Sequence, residues 1–291
     1  MLSRSLIKRL SSEERNLVRD GAIYTTIFTG LVSYFNYREY IKKDFLRSEA
    51  HYRFNGRCQN MTPWKQLYFT WWRMPDEEFN VYHRFKPYFI VGQLDYSKEV
   101  LIPHTKTFGG TKVNGYMVVN PLYCYEGGKL SFRAMFKKED PVNIERAALI
   151  VARGWVPAEY KDKRSRPNEI NTRRLVKLKG IYRKGKDIHD YKVPNNPDNN
   201  EWHNLALEDI GIFWDLPNWD ECKYYYFQVV DLEGNGVATT EEHNQQFPMP
   251  LSKDEVIEDH YGWRVLQSTN QNLFKLFGVV AGASAAMAAL A

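Results

Sequence analysis

Residues 149–157 read LIVARGWVP, and this stretch decides the fold class. Its first four residues form a short apolar run of β-favouring type, followed by an arginine and a glycine. A run of that length and composition reads as a central strand buried on both faces, here 147–153. Arg153 closes it at a depth where a charge needs a partner. A turn at Gly154 is expected to place Trp155 for packing, and Pro157 stiffens the exit. On either side lie further segments rich in β-branched and aromatic residues: 85–94, 99–103, 116–123, 130–136, 175–183 and 224–230. Gly92, Gly115, Gly127, Gly128, Gly154 and Gly180 punctuate them as expected turns or bulges. Residues 205–214 have apolar positions at helical spacing and predict the one clear helix within this region. The expected architecture is mainly β with helices (α+β): an antiparallel sheet or open barrel.

A second informative stretch is VPNNPDNNEWHN, residues 193–204. Pro194 and Pro197 stiffen a loop there, Asn195 and Asn196 suit turns whose side chains bond to backbone, and Trp202 is a packing anchor. The chain of 291 residues carries 19 Tyr, 16 Phe and 8 Trp, a density that suits strands and interfaces. Its net charge of +5 is unevenly placed. Residues 153–186 are strongly basic and 198–259 strongly acidic, so the two either pair internally or present surfaces of opposite sign. Only Trp155, Tyr160 and Tyr182 could stack on bases within the basic run, which matches no binding module, so no nucleic-acid partner is expected. Cys58, Cys124 and Cys222 are widely spaced and read as free, buried thiols.

Both ends of the chain are distinctive. Residues 1–12 (MLSRSLIKRLSS) have no acidic side chain and are rich in Ser, Arg and Leu, so 1–20 is read as a basic segment of the composition of an uncleaved mitochondrial targeting sequence. Residues 21–37 (GAIYTTIFTGLVSYFNY) are uncharged and would span about 25 Å as a helix, which is read as transmembrane. Residues 38–80 form a helical and loop connector, and 81–259 the soluble β-rich domain. Residues 260–291 are expected to be a second, membrane-inserted helix, whose Gly278 and Gly282 allow close helix packing. A polar run, QSTNQN at 267–272, opens it.

No sequence pattern of a catalytic nucleophile, phosphate loop, dinucleotide fingerprint or metal site is found, so neither an enzyme nor a small-molecule substrate is expected. Among seven histidines only His260, in EDHYGW at the edge of the C-terminal segment, stands where an imidazole would serve as an axial haem ligand.

Five segments in order, 82–103 (YHRFKPYFIVGQLDYSKEVLIP), 115–122 (GYMVVNPL), 149–157, 178–183 (LKGIYR) and 193–202, resemble the Surfeit locus protein 1 family. The resemblance implies a mitochondrial inner-membrane protein with two transmembrane helices and a domain facing the intermembrane space. Its partners would be cytochrome c oxidase subunits and inner-membrane lipid. His260 corresponds to the histidine implicated in haem a binding in bacterial members, but Glu258 and Asp259 precede it, and YFNYREY (34–40) replaces the family's Gly-x-Trp-Gln with its arginines. These departures favour a structural accessory subunit of the oxidase (complex IV) that needs no cofactor. The alternative is a transient assembly factor promoting haem a insertion. Arg153, Gly154, Trp155, Pro157, Pro194, Asn195, Asn196, Pro197 and Trp202 are the expected family-motif positions, with an architectural role.

Overall fold

A computed structural model describes residues 11–61, 74–108, 111–123, 148–166, 175–233, 247–261, 278–279 and 282. The chain divides into two compact units, 51–256 and a second made of 1–50 with 257–291.

The first element is one continuous helix, α1 (Ser12–Phe54). Ser11 and Glu14 start it by a reciprocal capping box. The Ser11 N–H donates to Glu14 Oε2 at 2.7 Å, and the Glu14 N–H to Ser11 Oγ at 3.3 Å. Thr25 and Thr26 donate their hydroxyls to the carbonyls of Gly21 and Ala22, four residues back, at 2.7 and 2.8 Å. Among the described residues, however, no helix is long and apolar enough to cross a membrane. The expected span at 21–37 is therefore corrected. Its 17 uncharged residues include Thr, Ser, Asn, Gly and Tyr, and extension in either direction meets Asp20 and Arg19 or Arg38 and Glu39. Most of the expected C-terminal helix lies outside the described residues. Gly278, Val279 and Gly282 are helical, and among the described residues nothing comes within 4 Å of a Cβ added at either glycine.

The larger unit is built on an eight-stranded mixed sheet. Its strands are β1 (Gln59–Asn60), β2 (Tyr88–Leu94), β3 (Val100–Phe108), β4 (Thr111–Tyr123), β5 (Ala148–Pro157), β6 (Val176–Lys184), β7 (Tyr225–Asp231) and β8 (Leu251–Ser252). Strands β2, β6, β7, β5 and β4 follow one another by pairing. The ring returns to β2 through Gln93–Tyr123 and Leu94–Leu122. Most pairs are antiparallel, but β5 and β7 run parallel. The result is a five-stranded barrel joined at one end by two residue pairs, with β3 extending the sheet beyond β4. The expected segment 130–136 lies outside the described residues.

Alternate residues of the ring point inward. Tyr88, Ile90 and Leu94 of β2, Leu122 of β4, Leu149 and Val151 of β5, Tyr182 of β6, and Tyr225 and Phe227 of β7 fill one apolar cluster. Around it lie the short helices α2 (Asp76–Tyr82), α3 (Leu207–Phe213) and α4 (Trp219–Cys222), with α5 (Lys253–Tyr261) following β8. Helix α2 contributes Phe79 to the cluster and stacks it on Tyr225 at 5.1 Å between centroids. Gly92, Gly115 and Gly180 were expected at turns but lie inside strands. At Gly180 a Cβ would stand 2.0 Å from the Gln228 carbonyl of the neighbouring strand, so the missing side chain permits close backbone approach rather than a turn.

Candidate functional site

The LIVARGWVP stretch is β5, and its strand does not end at Arg153. Val119 pairs with Ala152 while Val118 pairs with Gly154, which leaves Arg153 as the extra residue of a β-bulge. Gly154 has φ +152°, open to glycine and strained for any other residue, and a Cβ there would stand 2.2 Å from the Met249 carbonyl. The bare backbone lets Trp155 and Met249 exchange both hydrogen bonds, at 2.7 and 2.9 Å. Of the turn or bulge expected at Gly154, the structure has the bulge, within a strand that continues past Arg153.

Arg153 is buried, donates to Asn120 Oδ1 at 3.3 Å and lies over the Tyr96 ring at 4.7 Å. Asn120 in turn donates to the carbonyls of Asp95 and Lys98 at 3.1 and 2.9 Å, which holds the turn before β3. Beside them Arg166 forms a two-pronged ion pair with Glu99, at 2.7 and 2.9 Å, with its guanidinium fully buried. The same guanidinium also donates to the carbonyls of Tyr160 and Lys161, so its desolvation is offset by several directed bonds. Trp155 is fully buried and its indole N–H donates to the His104 carbonyl at 2.9 Å. Lys106 lies over the Trp155 ring at 5.9 Å and pairs with Glu255 at 3.3 Å. Glu255 also makes the capping box that starts α5 with Ser252. Pro157 leads into a single 3-10 turn, Ala158–Tyr160.

The asparagine loop is a second, separate construction. Asn195 Oδ1 accepts from the N–H groups of His203 and Asn204 at 2.9 and 3.1 Å, and its amide donates to Asn204 Oδ1 and Asp209 Oδ2. Asn196 exchanges backbone bonds with Glu201 across a 3-10 turn, Pro197–Asn199, with Pro197 at its first position. Asn200 ends that turn in the left-handed conformation and accepts from the Trp202 indole at 2.8 Å. Trp202 packs edge-on against Phe213 of α3 at 5.2 Å. Pro194 is exposed. The bonds placed here stay within the loop, apart from that of Asn195 to Asp209 on α3.

A family model described as the SURF1 family matches residues 60–273, well over half of the chain. The chain belongs to the SURF1 family. No curated protein matches it. Both motif stretches fall within the matched span, and the family is tied to cytochrome c oxidase biogenesis.

His260 stands in the last turn of α5, exposed, with Glu258 and Asp259 immediately before it. Among the described residues no group of His, Cys, Asp and Glu is placed to hold a metal. His83 lies elsewhere, on the Tyr88 hydroxyl at 2.8 Å, and burial lowers its pKa to about 4 with Lys86 adding to the effect. Cys58 and Cys222 are thiols rather than disulfides; that of Cys222 donates to the Ala148 carbonyl at 3.2 Å, and burial raises the Cys58 thiol above its ordinary value. Sequence reading missed Asn120, Glu99, Arg166 and Asn218. The one signal was a polar residue in an otherwise apolar strand, as at Asn120.

Proposed function

We propose that this SURF1-family chain is a structural accessory subunit of mitochondrial cytochrome c oxidase, located at the inner membrane with its sheet-bearing unit facing the intermembrane space. One observation carries the choice of a permanent, protein-surrounded role. Tyr24, Phe28, Leu31, Tyr34, Phe35 and Phe45 of α1 are all exposed on a helix interrupted by polar and charged side chains. Aromatic residues mixed with polar ones suit contact with other polypeptides better than contact with lipid alone. The acidic Glu258 and Asp259 beside His260 and the well-bonded motif residues support a role in architecture rather than in cofactor transfer. The basic, acid-free segment at 1–12 supports the compartment.

The test is stoichiometry. Oxidase purified from mitochondria and separated on a blue-native gel is expected to contain this chain in fixed ratio to the catalytic subunit. Recovery with early catalytic-subunit intermediates and absence from the mature enzyme would replace the accessory-subunit reading with that of a transient assembly factor.

A further inference from the structure

Every Asp, Glu, Lys or Arg from 198 to 221 is acidic. The loop and helices α3 and α4 that this segment forms also leave large apolar side chains in solvent. Ile212 is 55 % exposed, Phe213 42 % and Trp219 40 %. The helices that carry them are neighbours. Gly211 brings the two short helices together, since a Cβ there would stand 3.2 Å from Trp219 Cα, and Ile212 and Phe213 follow it directly. The Leu216 N–H bonds to the Gly211 carbonyl and the Trp219 N–H to the Leu216 carbonyl, so the connection is fixed. Glu208, Asp215 and Asp220 rim the patch. Asp215 is held outward in the left-handed region, at φ 52°.

Among the described residues, three cations of the basic run have ion-pair partners away from this rim. Lys179 pairs with Glu233, Lys184 with Asp76 and Arg166 with Glu99, all elsewhere. Among the described residues the cations recorded on the segment itself are Lys223, which pairs with Asp220 and also lies near Glu208, and Lys98, which caps the Trp214 carbonyl at the end of α3; the segment stays acidic in excess of them. The buried Trp214 indole N–H finds no acceptor among the described residues.

We propose that the surface of Ile212, Phe213 and Trp219, rimmed by Glu208, Asp215 and Asp220, docks a Lys- or Arg-rich polypeptide segment that also carries apolar side chains. Exposed aromatic residues supply the central contact, and a rim of one sign selects the partner's charge and its approach. The inference rests on this surface alone and stands independently of the oxidase reading.

The experiment offers the full chain a synthetic amphipathic Lys/Leu peptide, joins amines to carboxylates with a zero-length carbodiimide, and maps the adducts by mass spectrometry. Adducts are expected to concentrate on Glu208, Asp215 and Asp220. Their yield should fall at least about fivefold in Ile212→Ser/Trp219→Ser, as loss of a central contact requires. Asp215→Asn/Asp220→Asn, which preserves side-chain size, should divert the peptide altogether. Glu77→Gln/Glu78→Gln, on α2, should leave the yield at the patch unchanged. Adducts spread evenly over exposed carboxylates, or insensitive to Ile212→Ser/Trp219→Ser, overturn the proposal. Apart from the existing Lys223–Asp220 pair, preferential cross-links between these carboxylates and lysines of the same chain or a second copy also overturn it.

Discussion

At Gly154 the backbone itself is the functional feature, because its φ of +152° and the nearby Met249 carbonyl both exclude a side chain. Gly154→Ala therefore combines backbone strain with loss of the Trp155–Met249 bonds, and should destabilise the protein by about 3–4 kcal/mol in urea unfolding. Arg153 should lose its seat over Tyr96 in the same variant, seen as a changed tyrosine near-ultraviolet signal. His83 offers a test of a different kind. Its imidazole is held to about 4, mainly by burial, against an ordinary value of 6.5, while burial raises the Tyr88 phenol. Neutral His83 shares a hydrogen bond with the Tyr88 hydroxyl through Nδ1, at 2.8 Å. The unfolded chain takes up a proton below pH 6.5 that the folded chain refuses until pH nears 4. The His83 contribution is therefore complete above pH 6.5 and declines as pH falls from 6.5 to 4. Discounted for the ring's partial exposure, the loss is about 1–2 kcal/mol. His83→Gln should flatten the melting temperature across that window, and an unchanged slope would refute the assignment.

Among the elements, β5 depends on a partner that is not a strand. Asn218, fully buried just before α4, donates through its amide to the Ala148 carbonyl at 2.9 Å and accepts the Ala148 N–H at 3.0 Å, as a neighbouring strand would. Asn218→Ala removes the acceptor of the Ala148 N–H and leaves its carbonyl only the weak Cys222 thiol, at 3.2 Å, and should cost about 2–3 kcal/mol, read as a lower urea midpoint with unchanged slope. Nothing in the local sequence marks Asn218, since Pro217 and Asn218 read as an ordinary turn. The strands themselves were legible, because apolar and β-branched runs at 149–152 and 88–91 have no other stable setting. The glycines were misread because a sequence shows where a side chain is missing without showing what stands opposite. At Gly180 the reason is the Gln228 carbonyl, distant along the chain. The bulge at Arg153 was hidden for the same reason. It is defined by register against Val118 and Val119, and register belongs to a pair of strands. The loop at 193–204 was readable as Asn-driven turns, but not that Asn195 reaches Asp209 on α3.

For the whole molecule, the family match begins at residue 60, but the sheet-bearing unit begins at 51. The last turn of α1 explains the difference. Phe54 is buried against Phe85 at 5.4 Å between ring centroids, and Arg53 donates to the carbonyls of Asn80 and Val81 at 2.6 and 3.1 Å. This turn fastens the segment that leads from α2 into β2. A fragment of residues 46–261 omits most of the exposed aromatic surface of α1 while keeping the anchor. It should be a detergent-free monomer with one cooperative, β-type unfolding transition by circular dichroism. A fragment of residues 57–261 removes the anchor and leaves β1 and the barrel sequence intact. Losing the burial of Phe54 alone is worth about 2–3 kcal/mol, and at about 2–4 °C per kcal/mol for a unit of this size the melting temperature should drop by roughly 5–10 °C. Equal melting temperatures for the two fragments would show that the last turn of α1 does not contribute to the stability of the barrel.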